Sequence, residues 1–499
     1  MDFDKTIFSS TTHRLAVVSN RGAYSFKKTA EGIRAVPSVS GLVSAVEPVL
    51  RKVPGSWVAW GGRCSSIETT GLSVPLPGSG SESTFFEAML SRREVEMYYK
   101  GFANGCLWPL CHNFVEKVKF SEEQWKSYLG VNEKFAQVVL KHTGPADLIW
   151  VHDFHLTGVP RFIRSQRPMA RISLFWHIPF PPPEIFAVLP WAAEILRGMM
   201  DCEFIGFHTK RYVQNFLQSA AEIAGVEVDT DKGDIYLPGR KVRVAALPIG
   251  IDWQLFREIA SRKEVIQKSE RIRRETGERR IIIGADRLDY TKGIPERLLA
   301  IEWLLENCPE FRNEITFVQI AVPSRTDVAD YKNLRRQIEE TVGRINGKFT
   351  EEYHVPVRYL YKTLGKEDLV AHYLAADMAL VTPLNDGLNL VAKEYVAARA
   401  DGTGVLVLSP FAGAAEQLTG QLTANPYSPR EVAMQIAAGL TMNPEEKKRR
   451  MRQMARTVKE YDINWWWQTL LKSWLLGSVP DECGGVDNFS GLNTGGVVS

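Results

Sequence analysis

Short unbroken apolar runs recur along the chain, each followed by a stretch of helical spacing. In the first half they are 13–20 (HRLAVVSN), 56–61 (SWVAWG), 147–153 (DLIWVHD), 171–178 (RISLFWHI), 202–208 (CEFIGFH) and 242–250 (VRVAALPIG). A second series follows at 279–286 (RRIIIGAD), 315–322 (ITFVQIAV), 357–362 (VRYLYK), 378–383 (MALVTP) and 404–410 (GVLVLSP). Runs without alternation predict strands buried on both faces, as in parallel sheets covered by helices. Helical spacing over 211–225 and 294–307 supplies such covers. Two series predict an α/β chain of two doubly wound domains, 1–249 and 250–461. The seam falls in LPIGIDWQLF, 247–256, and a charged helix is expected over 261–280. The last helical pattern, 462–476, carries Trp465, Trp466, Trp467 and Trp474 and predicts a helix docked back onto the first domain. Residues 477–499 have the composition of a flexible tail.

Composition narrows the class. A chain of 499 residues is too long for one ordinary domain. A net charge of +3 gives no reason to expect nucleic acid or a membrane surface as partner. The six cysteines include no CxxC pair, which suits a reduced, cytoplasmic setting. The first residues lack the basic and apolar regions of a signal peptide, and no apolar run has the length of a bilayer span. The basic run 447–459 reads as a solvated helix face.

In open α/β sheets, ligands sit beyond the carboxyl ends of strands. This chain places polar groups there: Asn20-Arg21, Asp153, His177, Arg287, Arg325 and Asp386. In GADRLDYTKGIPERL, 284–298, Arg287 ends a strand, Lys292 follows, and Gly293 and Pro295 open the next helix. Two cations near a helix start suit a diphosphate; ion pairs with Asp286 and Asp289 are the alternative. In VTPLNDGLNLVAKEYVAARA, 381–400, a strand ends at Pro383 and a helix opens near Asn389. The amides of Leu388, Asn389 and Leu390 then face outward, where the helix dipole favours a phosphate. Asp386 is placed to accept from sugar hydroxyls and Glu394 to hold a ribose diol. The loop 409–418 has a weaker helix-start pattern.

His152 and His155 alternate along an extended segment without a third ligand nearby, so no metal is expected. His177 is placed to donate to a sugar hydroxyl. Trp60, Tyr99 and Trp108 offer faces for sugar rings, with core packing as the alternative, and Arg21 and Arg325 suit an anionic group. Tyr99 and Trp108 are separated by a glycine-containing link. GxGxxG after a strand, GxxxxGK[ST] and GxSxG are absent, which disfavours dehydrogenases, phosphate-loop NTPases and α/β-hydrolases.

In order along the chain, SNR, WVAW, YYKGFANGCLWP, HDFHL, HIPFPPPEIF, PIGI, RLDYTKGIPER, DGLNLVAKEY and FAGAAEQL resemble the motifs of the trehalose-6-phosphate synthases. These are retaining glycosyltransferases of the GT-B class, with two Rossmann-like domains facing a cleft. The resemblance runs from about Leu15 to about Leu476. It implies transfer of glucose from a nucleoside-diphosphate glucose, UDP-glucose foremost, to glucose 6-phosphate, with no cofactor and no protein nucleophile. It assigns the donor diphosphate to Arg287, Lys292 and the amides of Leu388, Asn389 and Leu390. The donor glucose goes to Asp386, the ribose to Glu394, and the closing glycine loop to Gly41. His177 lies beside the donor sugar and Asp153 near the reacting hydroxyl. Glucose 6-phosphate falls to Arg21, Tyr99, Trp108 and Arg325, with Trp60 lining the pocket. The base pocket is expected around Ile320 and Leu364. A homo-oligomer is compatible with this reading.

Departures from the family pattern cluster early: Gly22-Ala23-Tyr24 after SNR, an unfamiliar loop over 25–39 with Lys27-Lys28, Ser40 before Gly41, and Asn385 before Asp386. They keep open a sister transferase that uses glycerol 3-phosphate. A catalytically silent sugar-phosphate sensor is disfavoured, because the donor-site charges are present.

Overall fold

The computed structural model describes residues 14–29, 32–38, 41–65, 71–76, 83–326, 328–351 and 354–477. They form two compact units, one running to Ile249 and resuming at Asn464, the other Gly250–Ile463.

The first unit holds β1 (Leu15–Arg21), β2 (Tyr24–Thr29), β3 (Gly32–Pro37), β4 (Gly55–Trp60), β5 (Ser73–Pro75), β6 (Thr84–Glu87), β7 (Leu148–His152), β8 (Arg171–Phe175), β9 (Phe204–Phe207), β10 (Glu227–Asp229), β11 (Asp234–Leu237) and β12 (Arg240–Ala246). Seven of them pair in parallel in the order β12-β9-β8-β7-β1-β4-β6. The antiparallel β11 and β10 extend one edge and β5 the other. The apolar runs make this sheet because every residue of β4, β7 and β9 is buried, leaving no face for water. The helix Ile463–Leu476 belongs to this unit. It buries Trp466, Trp467 and Trp474, and the Trp466 ring packs 5.3 Å from Trp150 and 5.1 Å from Phe175.

The second unit holds β13 (Arg280–Arg287), β14 (Ile315–Val322), β15 (Val357–Tyr361), β16 (Met378–Val381), β17 (Val405–Leu408) and β18 (Leu422–Thr423). All six are parallel, in the order β15-β14-β13-β16-β17-β18, the doubly wound Rossmann order. Its core joins Ile282 and Phe317 of the sheet to Ile301, Leu304, Ile338 and Ile436 of the helices. Where the chain enters and leaves this unit, its two segments run side by side. Ile463 N–H donates to Ile251 O at 3.0 Å, and a Cβ on Gly250 would lie 2.2 Å from the Asp462 carbonyl carbon.

Eleven strands fall on the apolar runs, within a few residues at each end. Three expectations change. The charged segment 261–280 is not one helix: Trp253–Ser261 is followed by Lys263–Glu275, and β13 starts at Arg280. The loop over 25–39 is the antiparallel hairpin β2–β3, in which Phe26 packs 5.8 Å from Phe85. The link between Tyr99 and Trp108 lies inside a thirteen-residue π-helix, Val95–Leu107. The tail, 477–499, lies almost wholly outside the described residues. Among the described residues no helix is long and apolar enough to cross a membrane.

Strand order reverses between β1 and β7 in the first sheet and between β13 and β16 in the second. Those switch points are where such sheets bind ligands.

Candidate functional site

At the first switch point the backbone is held tightly. Asp153 follows β7 with φ +74°, a conformation that costs an L residue about 1–3 kcal/mol and that clusters at functional sites. Its Oδ1 accepts the N–H groups of Phe154 at 3.0 Å and His177 at 3.3 Å, joining the ends of β7 and β8. His177 is half-buried, and its Nε2 lies 3.0 Å from Nδ1 of the buried His152. Burial pulls His177 down to about 3 and pulls His152 below the ordinary imidazole range, so both rings are neutral at physiological pH.

Arg21 ends β1, and its guanidinium carbon sits 3.9 Å from the Trp60 ring centroid and 5.8 Å from that of Tyr99. Trp60 and Tyr99 meet edge to face at 5.6 Å, and Tyr99 stacks on His155 at 5.8 Å. The Trp60 indole N–H is fixed on Arg63 O at 2.7 Å. Gly62 makes room for the cation: with φ +84°, a Cβ there would lie 2.4 Å from Arg21 Nη1. The π-helix lets Tyr99 reach this cluster while Tyr98 turns inward to donate to Asn20 Oδ1 at 3.0 Å. π-helical turns are uncommon and concentrate at functional sites. Trp108 is buried, 4.2 Å from His112 and 5.9 Å from Phe154. Gly22 also has a packing reason, because a Cβ there would lie 2.6 Å from the Phe85 ring. Gly41 is the exposed first residue of the helix Gly41–Lys52.

At the second switch point the charges sort into three groups. Lys292 Nζ pairs with Asp386 Oδ2 at 2.6 Å, with only 10% and 13% of the two side chains exposed. The same Oδ2 accepts from Asn389 Nδ2 at 3.0 Å. Asn389, at φ +79°, also caps the helix Leu390–Ala398 by accepting the Ala392 N–H. Gly293 allows this approach: at φ +66° it lies where a Cβ would be 2.5 Å from Thr382 O. The Leu388 and Asp386 carbonyls accept the N–H groups of Ala414 and Gly413. The loop 409–418 is therefore a brace for the Asp386 loop, and its only helical piece is the four-residue 3₁₀ turn Gly413–Glu416.

Asp289 forms the second group. It is fully buried and accepts from Arg325 Nη1 at 3.0 Å and Tyr331 Oη at 2.9 Å. Burial opposes its charge, but Arg325, Arg287 and Lys292 outweigh that and hold its carboxyl below the ordinary range. Arg325, at φ +47°, thus stands past β14 in the second unit, whereas Arg21, Trp60, Tyr99 and Trp108 belong to the first.

The third group is Asp286 with Arg297, a fully buried arginine. The expected alternative of Arg287 and Lys292 pairing with Asp286 and Asp289 is therefore not the main arrangement. Arg287 itself is exposed at the end of β13. Glu394 accepts from Tyr373 Oη at 3.1 Å, and burial pushes its carboxyl upward. Ile320 is buried two residues inside the end of β14, and Leu364 is half-buried just past β15. Among the described residues no group of three or more His, Cys, Asp or Glu is arranged for a metal ion.

Arg297, Tyr373 and the Asn389 side chain were not singled out from sequence. Only Arg297 left a signal, a cation between Ile294 and Leu298 on a mostly apolar helix face.

The sequence profile of Glycosyltransferase family 20 matches residues 13–474. A trehalose-6-phosphate synthase of Mycolicibacterium smegmatis is 40% identical over 471 residues, covering 93% of this chain and 92% of that protein. A bifunctional trehalose-6-phosphate synthase/phosphatase of Thermoproteus tenax is 41% identical over 464 residues, covering 91% of this chain, which spans 62% of that relative's length. An α,α-trehalose-phosphate synthase (UDP-forming) of Burkholderia xenovorans, solved in complex with glucose 6-phosphate, aligns with a TM-score of 0.86 at 34% identity, covering 93% of this chain and 100% of that one. Two doubly wound sheets, polar groups gathered at both switch points and a profile match over nearly the whole chain agree: the chain belongs to glycosyltransferase family 20.

Proposed function

We propose that this chain transfers glucose from UDP-glucose to glucose 6-phosphate, releasing UDP and forming α,α-trehalose 6-phosphate. The observation that carries the reading is the Lys292–Asp386–Asn389 cluster at the Rossmann switch point, directly before the helix Leu390–Ala398. A cation, an acceptor for sugar hydroxyls and a helix start stand together there, which is the chemistry of a nucleotide sugar. In this reading Arg287, Lys292 and the amides of Leu388, Asn389 and Leu390 hold the diphosphate. Asp386 holds the glucose and Glu394 the ribose, Ile320 and Leu364 border the base, and Gly41 closes on the donor. Arg21, Trp60, Tyr99, Trp108 and Arg325 hold glucose 6-phosphate, Asp153 orients its hydroxyl, and His177 donates to the donor sugar. In this reading the first unit supplies most of the acceptor residues, Arg325 excepted, and the second most of the donor residues, Gly41 excepted, in a cytoplasmic enzyme.

The protein's task is positioning and charge stabilisation. As the glycosidic bond breaks, negative charge grows on the diphosphate, and cations fixed in advance stabilise it without reorganising. The leaving phosphate oxygen takes the acceptor's proton on the same face of the sugar, which retains configuration.

The relatives favour glucose 6-phosphate over glycerol 3-phosphate as acceptor, since those reported are trehalose-phosphate synthases and one was solved with glucose 6-phosphate. Gly22, filled from behind by Phe85, is a packing variant. The test is nucleoside diphosphate release from purified protein, crossing UDP-, GDP- and ADP-glucose with both acceptors. UDP released only with UDP-glucose and glucose 6-phosphate is expected. Release with glycerol 3-phosphate and none with glucose 6-phosphate would overturn the acceptor assignment.

A further inference from the structure

His152 is fully buried at the end of β7, and among the described residues its ring's one hydrogen bond is that of 3.0 Å between His152 Nδ1 and His177 Nε2. The ring centroids are 5.3 Å apart with planes 20° from parallel. At that nitrogen–nitrogen distance, so wide a separation is reached only when two imidazoles lie end to end. The contact is therefore an in-plane hydrogen bond, and one ring must donate.

A neutral imidazole has one N–H. If His177 Nε2 donated, His152 would carry its proton on Nε2. That atom is buried and has no partner among the described residues. An orphaned buried N–H is rarer and costlier than an under-used acceptor. The reverse arrangement, with His152 Nδ1–H donating, leaves a bare nitrogen at that point. His177 then carries its proton on Nδ1, the nitrogen no described protein group occupies.

We propose that His152 is a positioning residue: its Nδ1–H fixes the ring of His177 and holds it as the Nδ1–H tautomer, a neutral donor for a sugar hydroxyl. The enclosure supports this. Trp150 lies 4.4 Å from His152, and Phe175 and Trp466 lie 4.7 and 6.3 Å from His177. His208 lies 5.3 Å from His177, and its own Nδ1 accepts the Ile249 N–H. Burial keeps both rings of the pair uncharged, so neither supplies a second N–H. The inference rests on the placing of His177 beside the donor sugar.

Nitrogen-15 NMR of histidine-labelled protein, with His177 assigned through His177→Asn, reads the tautomer directly and needs no activity. A protonated Nδ1 and an unprotonated Nε2 are expected; a protonated Nε2 on His177 would overturn the proposal. His152→Phe keeps a flat aromatic ring and loses the donor. Its kcat for glucosyl transfer is expected to fall about 10²-fold with little change in KM, as for a misplaced catalytic group. His152→Asn, whose amide N–H stands near the Nδ1 position, is expected to recover much of the loss. Wild-type kcat in His152→Phe would overturn the positioning role. Unchanged turnover in His177→Asn would instead overturn the site reading beneath it.

Discussion

Arg297→Met separates the stability of the second unit from the protein's activity. The guanidinium is fully buried and spends its donors on four partners: Asp286 Oδ2 at 2.7 Å, Gln319 Oε1 at 2.9 Å, Thr382 Oγ1 at 3.1 Å and the Lys292 carbonyl at 3.1 Å. Methionine keeps an apolar stem and removes them all. Breaking one side of a buried ion pair strands the other charge, at about 3–5 kcal/mol. Gln319 keeps its amide bonds to the Gly284 and Ile320 carbonyls, so only its Oε1 is orphaned, adding about 1–3 kcal/mol. The expected loss is therefore about 4–8 kcal/mol, a large part of a domain's stability. Hydrogen exchange at the amides of β13 and the helix Ile294–Asn307, followed through a urea series, measures it where it arises. Asp286→Leu added to Arg297→Met removes both charges and should restore most of the stability. It should not restore activity, because nothing then holds the Lys292 carbonyl. A single variant that loses less than about 1 kcal/mol, or a double variant no more stable than the single, would refute this reasoning.

Three further predictions follow from the same geometry. Lys292→Met removes the cation beside Asp386, and kcat should fall about 10²–10³-fold at saturating donor; steady-state kinetics showing only a raised KM would contradict a transition-state role. Tyr373→Phe frees Glu394 Oε2, so it should narrow the preference for UDP-glucose over its 2′-deoxyribose analogue by about 10-fold or more, the worth of one hydrogen bond to a charged group; competition kinetics with the two donors measure it. Asp289 has a lowered folded-state value, so its contribution to stability is present above the ordinary carboxylate range and lost as pH falls through that lowered value. Arg325→Met removes the cation that lowers it most and should shrink that contribution, so pH-dependent urea unfolding should show a smaller acid-induced loss than in the wild type.

The parallel sheets were legible because buried parallel strands leave unbroken apolar runs, and each of the eleven runs became a strand. What was missed lacks that signature. Hairpin β2–β3 reads YSFKKT and GIRAVP, with Lys27, Lys28 and Arg34 exposed and only Tyr24 and Phe26 buried. Strands β5, β10 and β18 have two or three residues each, too few to show a period. The π-helix escaped because its i to i−5 bonding matches no standard apolar spacing. At the site, residues at strand ends were readable, since topology alone places Arg21, Asp153, Arg287 and Asp386 at the switch points. Their partners were not. Tyr373 stands 21 residues from Glu394 and His152 25 from His177, and such contacts exist only once the sheet is assembled. The family motifs carried the roles of Glu394 and Trp108 further than spacing did, because a carboxylate inside a helix or a buried indole has a plain packing reading.

The central claim, glucosyl transfer to the anomeric hydroxyl of glucose 6-phosphate with retention, is tested most directly by the product. Proton NMR of the disaccharide phosphate formed from UDP-glucose and glucose 6-phosphate shows both anomeric centres at once. Two anomeric signals with small gauche couplings and no reducing end are expected. A large trans-diaxial coupling on the transferred glucose, or a surviving reducing-end signal, would contradict the account.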